Sequence, residues 1–363
     1  MRASSFAALL LAACGDTAGP PGLSAGPITS EPGTASRSST GGDTSSTSTT
    51  GDSIGSSIGT STGTIRDVGV EADFGTGQPA GCQGKVDLLF VISRSGTMAT
   101  EQAQLLASFA GFIDTVEQRL EGFDVHIMTA NPDGSWPGDA CEHAWWGCKA
   151  NFPDCGETAE DYQCGVYPDL VDGCDDVLGA GLTFNVGGYA ANKVCELQGG
   201  HRYIVSGQTD MPGAFECIAK VGASGGDSLM GDAMVAALSS ELNRDGGCNE
   251  GFLREDALLV IVLITDSNED NSQSYAKTQY EAIVAAKGDP SAVVMLAVVH
   301  NAPGEFEPAK DCEYWKDSYG TFEDLLSRFP YAVFGDTCTP SYAPFLEEAA
   351  DKISEACASY IPQ

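Results

Sequence analysis

Several residues have types and spacings that could do chemistry. Gly222-Ala223-Ser224-Gly225-Gly226 fits Gly-x-Ser-x-Gly, and Asp266 and His300 follow in the order Ser, Asp, His. That set would allow acyl transfer through Ser224, provided a strand leads into the motif and a helix follows at once. Residues 215–220 read instead as a short helix, which argues against a nucleophile elbow. Glu269 and Asp270 could be a carboxylate pair, but a solvated loop is the better reading of them. His126, His143, His201 and His300 form no cluster. The remaining chemistry belongs to 13 cysteines. Cys141, Cys148, Cys155, Cys164 and Cys174 are separated by 7, 7, 9 and 10 positions. Zinc sites want close Cys-x-x-Cys or Cys/His pairs, so these five, with Cys195, read as disulfide partners. Six cysteines could close three bridges, and spacing does not give the pairing.

That many cysteines implies export to an oxidising compartment. The chain has 363 residues, 18 Lys plus Arg and 51 Asp plus Glu, for a net charge of −33. Such a surface repels polyphosphate, which excludes nucleic acid as the natural partner, and it also repels anionic lipid heads. Apolar residues make up 42%, enough for a core. No apolar run reaches the roughly 18 residues that cross a bilayer. A membrane connection would therefore come through a lipid anchor only.

The chain divides into three parts. Residues 1–14 read as an export signal, with Arg2 followed by an apolar stretch. Leu11-Ala12-Ala13-Cys14 resembles a bacterial lipobox, in which Cys14 would become the lipidated terminus. Gly15 follows it, and no Asp does; in the sorting rule this resembles, that favours the outer membrane. Lipidation of Cys14 also leaves twelve cysteines, an even number. Residues 15–81 read as a tether. Between positions 36 and 64, 24 of 29 residues are Ser, Thr or Gly. Such a segment cannot bury enough surface to fold and should span about 45 Å as a flexible coil.

Residues 82–363 read as the folded part. Apolar runs at 86–92, 257–265 and 292–299 predict strands buried on both faces. Further strands are expected at 123–129, 202–206 and 331–334. Helices are expected at 99–121, 230–242, 275–287 and 343–360. Alternating strands and helices predict an α/β fold, a doubly wound, mostly parallel sheet. A cysteine-rich insertion at about 131–201 carries Trp136, Trp145 and Trp146, suited either to partner contact or to a small core of its own.

Three features, in order, resemble the von Willebrand factor A (vWA) domain. They are the strand 87–92 running into Ser93-Arg94-Ser95-Gly96-Thr97-Met98, the segment Gly225-Gly226-Asp227-Ser228-Leu229-Met230-Gly231-Asp232-Ala233, and Leu263-Ile264-Thr265-Asp266. The resemblance covers about 85–360, with the insertion interrupting it. The lipobox and cysteines also resemble those of myxobacterial vWA lipoproteins. It implies a Rossmann-like sheet with one antiparallel edge strand, expected to be the second. It also implies a metal-ion-dependent adhesion site (MIDAS), at which Mg or Mn recruits a partner's carboxylate. Carried over, Ser95 and Thr97 supply hydroxyls, Ser228 or Asp227 the third loop's ligand, and Asp266 a carboxylate. Ser93 departs from the pattern, because the family has Asp there. Arg94 beside it would oppose a divalent cation by about 5 kcal/mol at ~6 Å. It could itself stand in for the metal, pairing with Asp266 or with a partner's carboxylate.

The expectation is a degenerate adhesion site on an envelope-tethered interaction module with no turnover. Its partner would be an unknown protein or extracellular matrix component. A metal-independent scaffold domain, or a serine hydrolase using Ser224, are the alternatives. Placed on the vWA frame, Cys82 and Cys357 both belong at the bottom of the sheet. Cys312 and Cys338 follow the last two strands at the top, which leaves Cys217 for Cys248.

Overall fold

The computed structural model describes residues 82, 84–119, 122–138, 168–223, 228–268, 271–303 and 318–359. The export signal with Cys14, the tether, much of the insertion with Cys141, Cys148, Cys155 and Cys164, and Cys312 lie outside them. So do Ser224, Asp227, Glu269 and Asp270.

The elements in chain order are β1 (Lys85–Ile92), α1 (Ala99–Arg119), β2 (Asp124–Ala130), β3 (Phe184–Asn185), β4 (Lys193–Val194), β5 (Ile204–Val205), α2 (Met211–Ala219), α3 (Met230–Ala237), α4 (Ser240–Asn243), β6 (Leu258–Thr265), α5 (Ala276–Lys287), β7 (Val293–Val299), α6 (Tyr319–Leu326), β8 (Tyr331–Asp336) and α7 (Ala343–Ser359). One six-stranded sheet runs β5-β2-β1-β6-β7-β8, and β3 and β4 pair separately. All neighbours in the large sheet are parallel except β2 and β5.

Every residue of β6 and β7 is buried, because helices cover both faces of the sheet. Alternate residues of β1 feed two cores. Val86, Leu88, Phe90 and Ile92 pack with α1, α2 and α7, through Phe109, Phe215 and Leu346 among others. Leu89 and Val91 pack with α3, α5 and α6, through Met230, Ile283 and Leu325. The expected doubly wound α/β fold is therefore present.

Its details differ from expectation at three points. First, β2 is neither antiparallel nor at the edge. Helix α1 carries the chain back across the sheet, so β2 runs parallel to β1, and the antiparallel edge strand is β5. It follows that Ala130 ends at the carboxyl end of the sheet, and the insertion leaves from that end. Second, the helix expected at 230–242 is broken after Ala237. The Ser239 hydroxyl accepts from Leu242 N at 3.3 Å and caps a new short helix.

Third, the expected bridge Cys217–Cys248 is not formed. Cys217 pairs with Cys195, and Cys248 pairs with Cys174. Two of the six insertion cysteines thus staple the insertion to the domain. The physical reason is placement: β4 lies beside α2, so Cys195 meets Cys217 there. Cys82–Cys357 forms as expected. Cys338 is also disulfide-bonded.

The returning insertion lies along the end of β2, with Gly181 bridged to Ala130. Asn249 holds it there, accepting from Gly181 N at 2.9 Å and donating to Gly179 O at 3.0 Å. Gly181 is glycine for a steric reason: a Cβ would collide with the Arg202 carbonyl. Trp136 is 2% exposed and packs its ring against Phe184, so this tryptophan belongs to the insertion's own core.

Candidate functional site

The connections β1–α1, β6–α5 and α2–α3 converge at the carboxyl end of the sheet. Ser93 N donates to Ile264 O at 2.9 Å, which extends β1 pairing one residue past its end. The chain then turns, and the Ser93 hydroxyl accepts from Ser95 N at 3.2 Å. This turn places the Ser95 and Thr97 hydroxyls 3.0 Å apart. Ser267, immediately after Asp266, lies with its hydroxyl 3.3 Å from Ser95 Oγ and donates to Asp266 Oδ1 at 3.0 Å. Asp266 N is fixed by the Met98 sulfur at 3.3 Å. The outcome is a patch of three hydroxyls and one carboxylate, with Thr97 exposed and Asp266 half-buried.

Ser228 lies on the other side of Ser93 and Arg94. It is buried, and its hydroxyl accepts from Arg94 N at 3.0 Å. Gln102 locks the floor by donating to Ser93 O at 3.2 Å and to Gly222 O at 2.8 Å. The Arg94 side chain turns inward. Nη1 meets Asp133 Oδ2 at 2.7 Å, Nε donates to Val221 O at 3.0 Å, and the side chain is 4% exposed. Its carboxylate partner is thus Asp133, just past β2, and not Asp266.

Two residues of this site did not emerge from sequence. Ser267 carries a weak signal, a hydroxyl next to a strand-ending Asp. Asp133 carries none, because it lies 39 positions from Arg94.

Burial, with the negative charge of Asp266 adding to it, pushes the Glu101 carboxyl up to about 7. A carboxyl raised from 4.5 in this way favours the fold fully below pH 4.5. That contribution is lost as pH rises through 7. Glu101→Gln is therefore expected to flatten the fall in melting temperature between pH 5 and pH 8. Thermal scans at both pH values check this, and an unchanged fall would show that Glu101 does not titrate there.

A divalent cation of the MIDAS kind wants several hard oxygen ligands and negative charge to match. The donors here fit it poorly. Ser93 supplies no carboxylate, and its hydroxyl is engaged by Ser95 N. Ser228 faces the Arg94 amide. Among the described site residues carried over from the resemblance, Asp266 alone brings a charge, and a buried guanidinium lies one residue from Ser93 and Ser95 alike.

His300, Asp336 and Cys338 bring ligand atoms within 4.8 Å of one another at the ends of β7 and β8, close enough for a metal ion. The disulfide at Cys338 withdraws its thiolate, which leaves His300 and Asp336. His300 is buried, with Nδ1 at 3.1 Å from the Thr337 hydroxyl. Helix α2, not a strand, leads toward Gly222.

The sheet order, the antiparallel edge strand and the converging loops make this a vWA-like α/β domain. Solved structures similar to the chain include proximal thread matrix protein 1 (PTMP1) from the mussel byssus. One crystal form aligns with a TM-score of 0.35 and 8% identity, over 76% of this chain and 48% of that one. The same mussel protein with a zinc-occupied MIDAS motif aligns with a TM-score of 0.37 and 13% identity, over 77% and 47%. The chain thus spans about half the length of those structures, and identities this low carry no residue role across. No protein-family model and no curated protein matches the sequence.

Proposed function

We propose that this chain is an exported interaction module without turnover, held on the cell envelope by lipid on Cys14 through the Ser/Thr/Gly-rich segment that follows it. It binds a protein or extracellular matrix component through the carboxyl end of its sheet. The observation that carries this reading is the patch of Ser95, Thr97, Ser267 and Asp266, half-buried to exposed at the carboxyl end of the sheet. The insertion leaves from the same end, and Cys174–Cys248 and Cys195–Cys217 fasten it to the domain. Those disulfides fit an oxidising compartment, and the outer membrane is the location that the lipobox sequence favours.

A photo-crosslinking amino acid placed at Thr97, in the cells that make the protein, tests the binding face. A discrete crosslinked species is expected from Thr97 and none from exposed Glu347 on α7. The same pattern from both positions, or nothing from Thr97, would remove the case for this face.

A further inference from the structure

We infer that, in this chain, the Arg94–Asp133 ion pair does the work that a divalent cation does in a MIDAS, tying the loops at the carboxyl end of the sheet together without metal. This rests on the vWA-type reading above and concerns the same site.

The geometry is that of a hub. Arg94 sits in the β1–α1 connection. Its guanidinium reaches the segment after β2 through Asp133 at 2.7 Å and the segment after α2 through Val221 O at 3.0 Å. Its own amide reaches Ser228, just before α3, at 3.0 Å. Three connections of the fold thus meet on one residue, which is 3% exposed. A guanidinium suits this role because its donors are fixed in a plane and stay charged.

Asp133 is prepared for it. The Asn131 side-chain oxygen accepts from Asp133 N at 3.0 Å and from Gly134 N at 3.1 Å, which sets the turn that aims the carboxylate. Asn131 in turn donates to Asp175 O at 2.8 Å, so the turn is anchored to the returning insertion.

The same arrangement explains the misfit with a metal. The site has one carboxylate fewer than the MIDAS pattern, and Arg94 and Asp133 neutralise each other, so neither is left to match a divalent ion. The hydroxyls then bond one another or backbone amides. Partner binding at this face consequently proceeds without a metal-bridged carboxylate and is insensitive to chelators.

The test uses the full purified chain in EDTA, in millimolar Mg²⁺ and in millimolar Mn²⁺, read by thermal unfolding and amide hydrogen exchange. The natural protein is expected to give the same melting temperature in all three. Arg94→Met is expected to speed exchange at least about tenfold at 93–97, 131–135 and 221–223, with or without metal, and to leave the centre of β6 protected. If Arg94→Met does not fold, Asp133→Asn keeps the shape, removes the charge and is read in the same way. Ser93→Asp combined with Arg94→Ser is expected to gain a Mn²⁺-dependent rise in melting temperature. A rise of several degrees on adding Mn²⁺ to the natural protein would overturn the inference. So would an Arg94→Met chain whose three segments stay protected, or a double variant that ignores Mn²⁺. None of these outcomes bears on crosslinking at Thr97, so the inference and the interaction reading can fail separately.

Discussion

Replacing both Cys82 and Cys357 with serine is expected to lower stability by about 5 kcal/mol, and the melting temperature by about 10 °C or more. The bridge spans 275 positions and joins the entry of β1 to the end of α7, so it closes almost the whole domain into one loop. In the chain-entropy account the effect grows with the logarithm of loop length. The same arithmetic gives ~3 kcal/mol for Cys195–Cys217, only 22 positions apart. Other bridges nested inside the long loop shorten its effective length and reduce the difference. A second cost adds to the first, because both sulfurs are fully buried in the core on the α1–α7 side and serine hydroxyls there would need partners. Urea unfolding of the double variant beside Cys195→Ser/Cys217→Ser measures both. A long-bridge loss below that of the short bridge would refute the entropic argument. In a reducing compartment the domain would lack the closure that ties the entry of β1 to the end of α7.

How much of this was legible in sequence follows from the range of each interaction. The strands β1, β6 and β7 were legible because burial on both faces writes itself as an unbroken apolar run. Cys82–Cys357 was legible because both cysteines flank terminal elements whose position at the bottom of the sheet follows from topology. The direction of β2 was legible too, since the helix expected at 99–121 implies a parallel crossover from β1, and the expectation taken from the resemblance ran against it. Cys195–Cys217 and Cys174–Cys248 depend on where the insertion lies over the domain, and spacing carries no such information. At the site, the sequence placed Ser93, Ser95, Thr97, Ser228 and Asp266 on three loops. The structure brings Ser95, Thr97 and Asp266 together with Ser267, and turns Ser93 and Ser228 to backbone amides. The destination of Arg94 was the hardest part to read, because any of several acidic residues at that end could have met it.

Asp87 shows the same limit at the other end of the sheet, and its removal is the second large expected effect. It is a fully buried carboxylate in a strand that is otherwise apolar from Val86 to Ile92, and such a group persists only if paired. Arg254, in the segment before β6, supplies the partner: N and Nε donate to the two carboxylate oxygens, each at 2.8 Å. Arg254 also bonds Asp124 at 2.6 Å and Val86 O at 3.1 Å, which joins the starts of β1 and β2 to the entry of β6. Asp87→Ala leaves a mostly buried guanidinium half-neutralised and is expected to cost about 3–5 kcal/mol. Replacing both partners with apolar residues, Asp87→Leu with Arg254→Met, is expected to recover a substantial part of that loss, and a double-mutant cycle measures the coupling. Proton linkage gives a sharper test. Burial raises the Asp87 carboxyl to about 6, with Arg254 pulling it back down. A carboxyl raised from 3.8 contributes stability that is full below pH 3.8 and is lost as pH rises through 6. Without Arg254 that loss deepens, because Arg254 is the larger of the two cations that hold the carboxyl down, and Lys287 alone remains. Arg254→Met should therefore cost more at pH 8 than at pH 5, where Asp87 can take up a proton and stay buried as the neutral acid. Equal costs at the two pH values would mean that the energy of this corner lies in the hydrogen bonds to Asp124 and Val86, and not in the charge of Asp87.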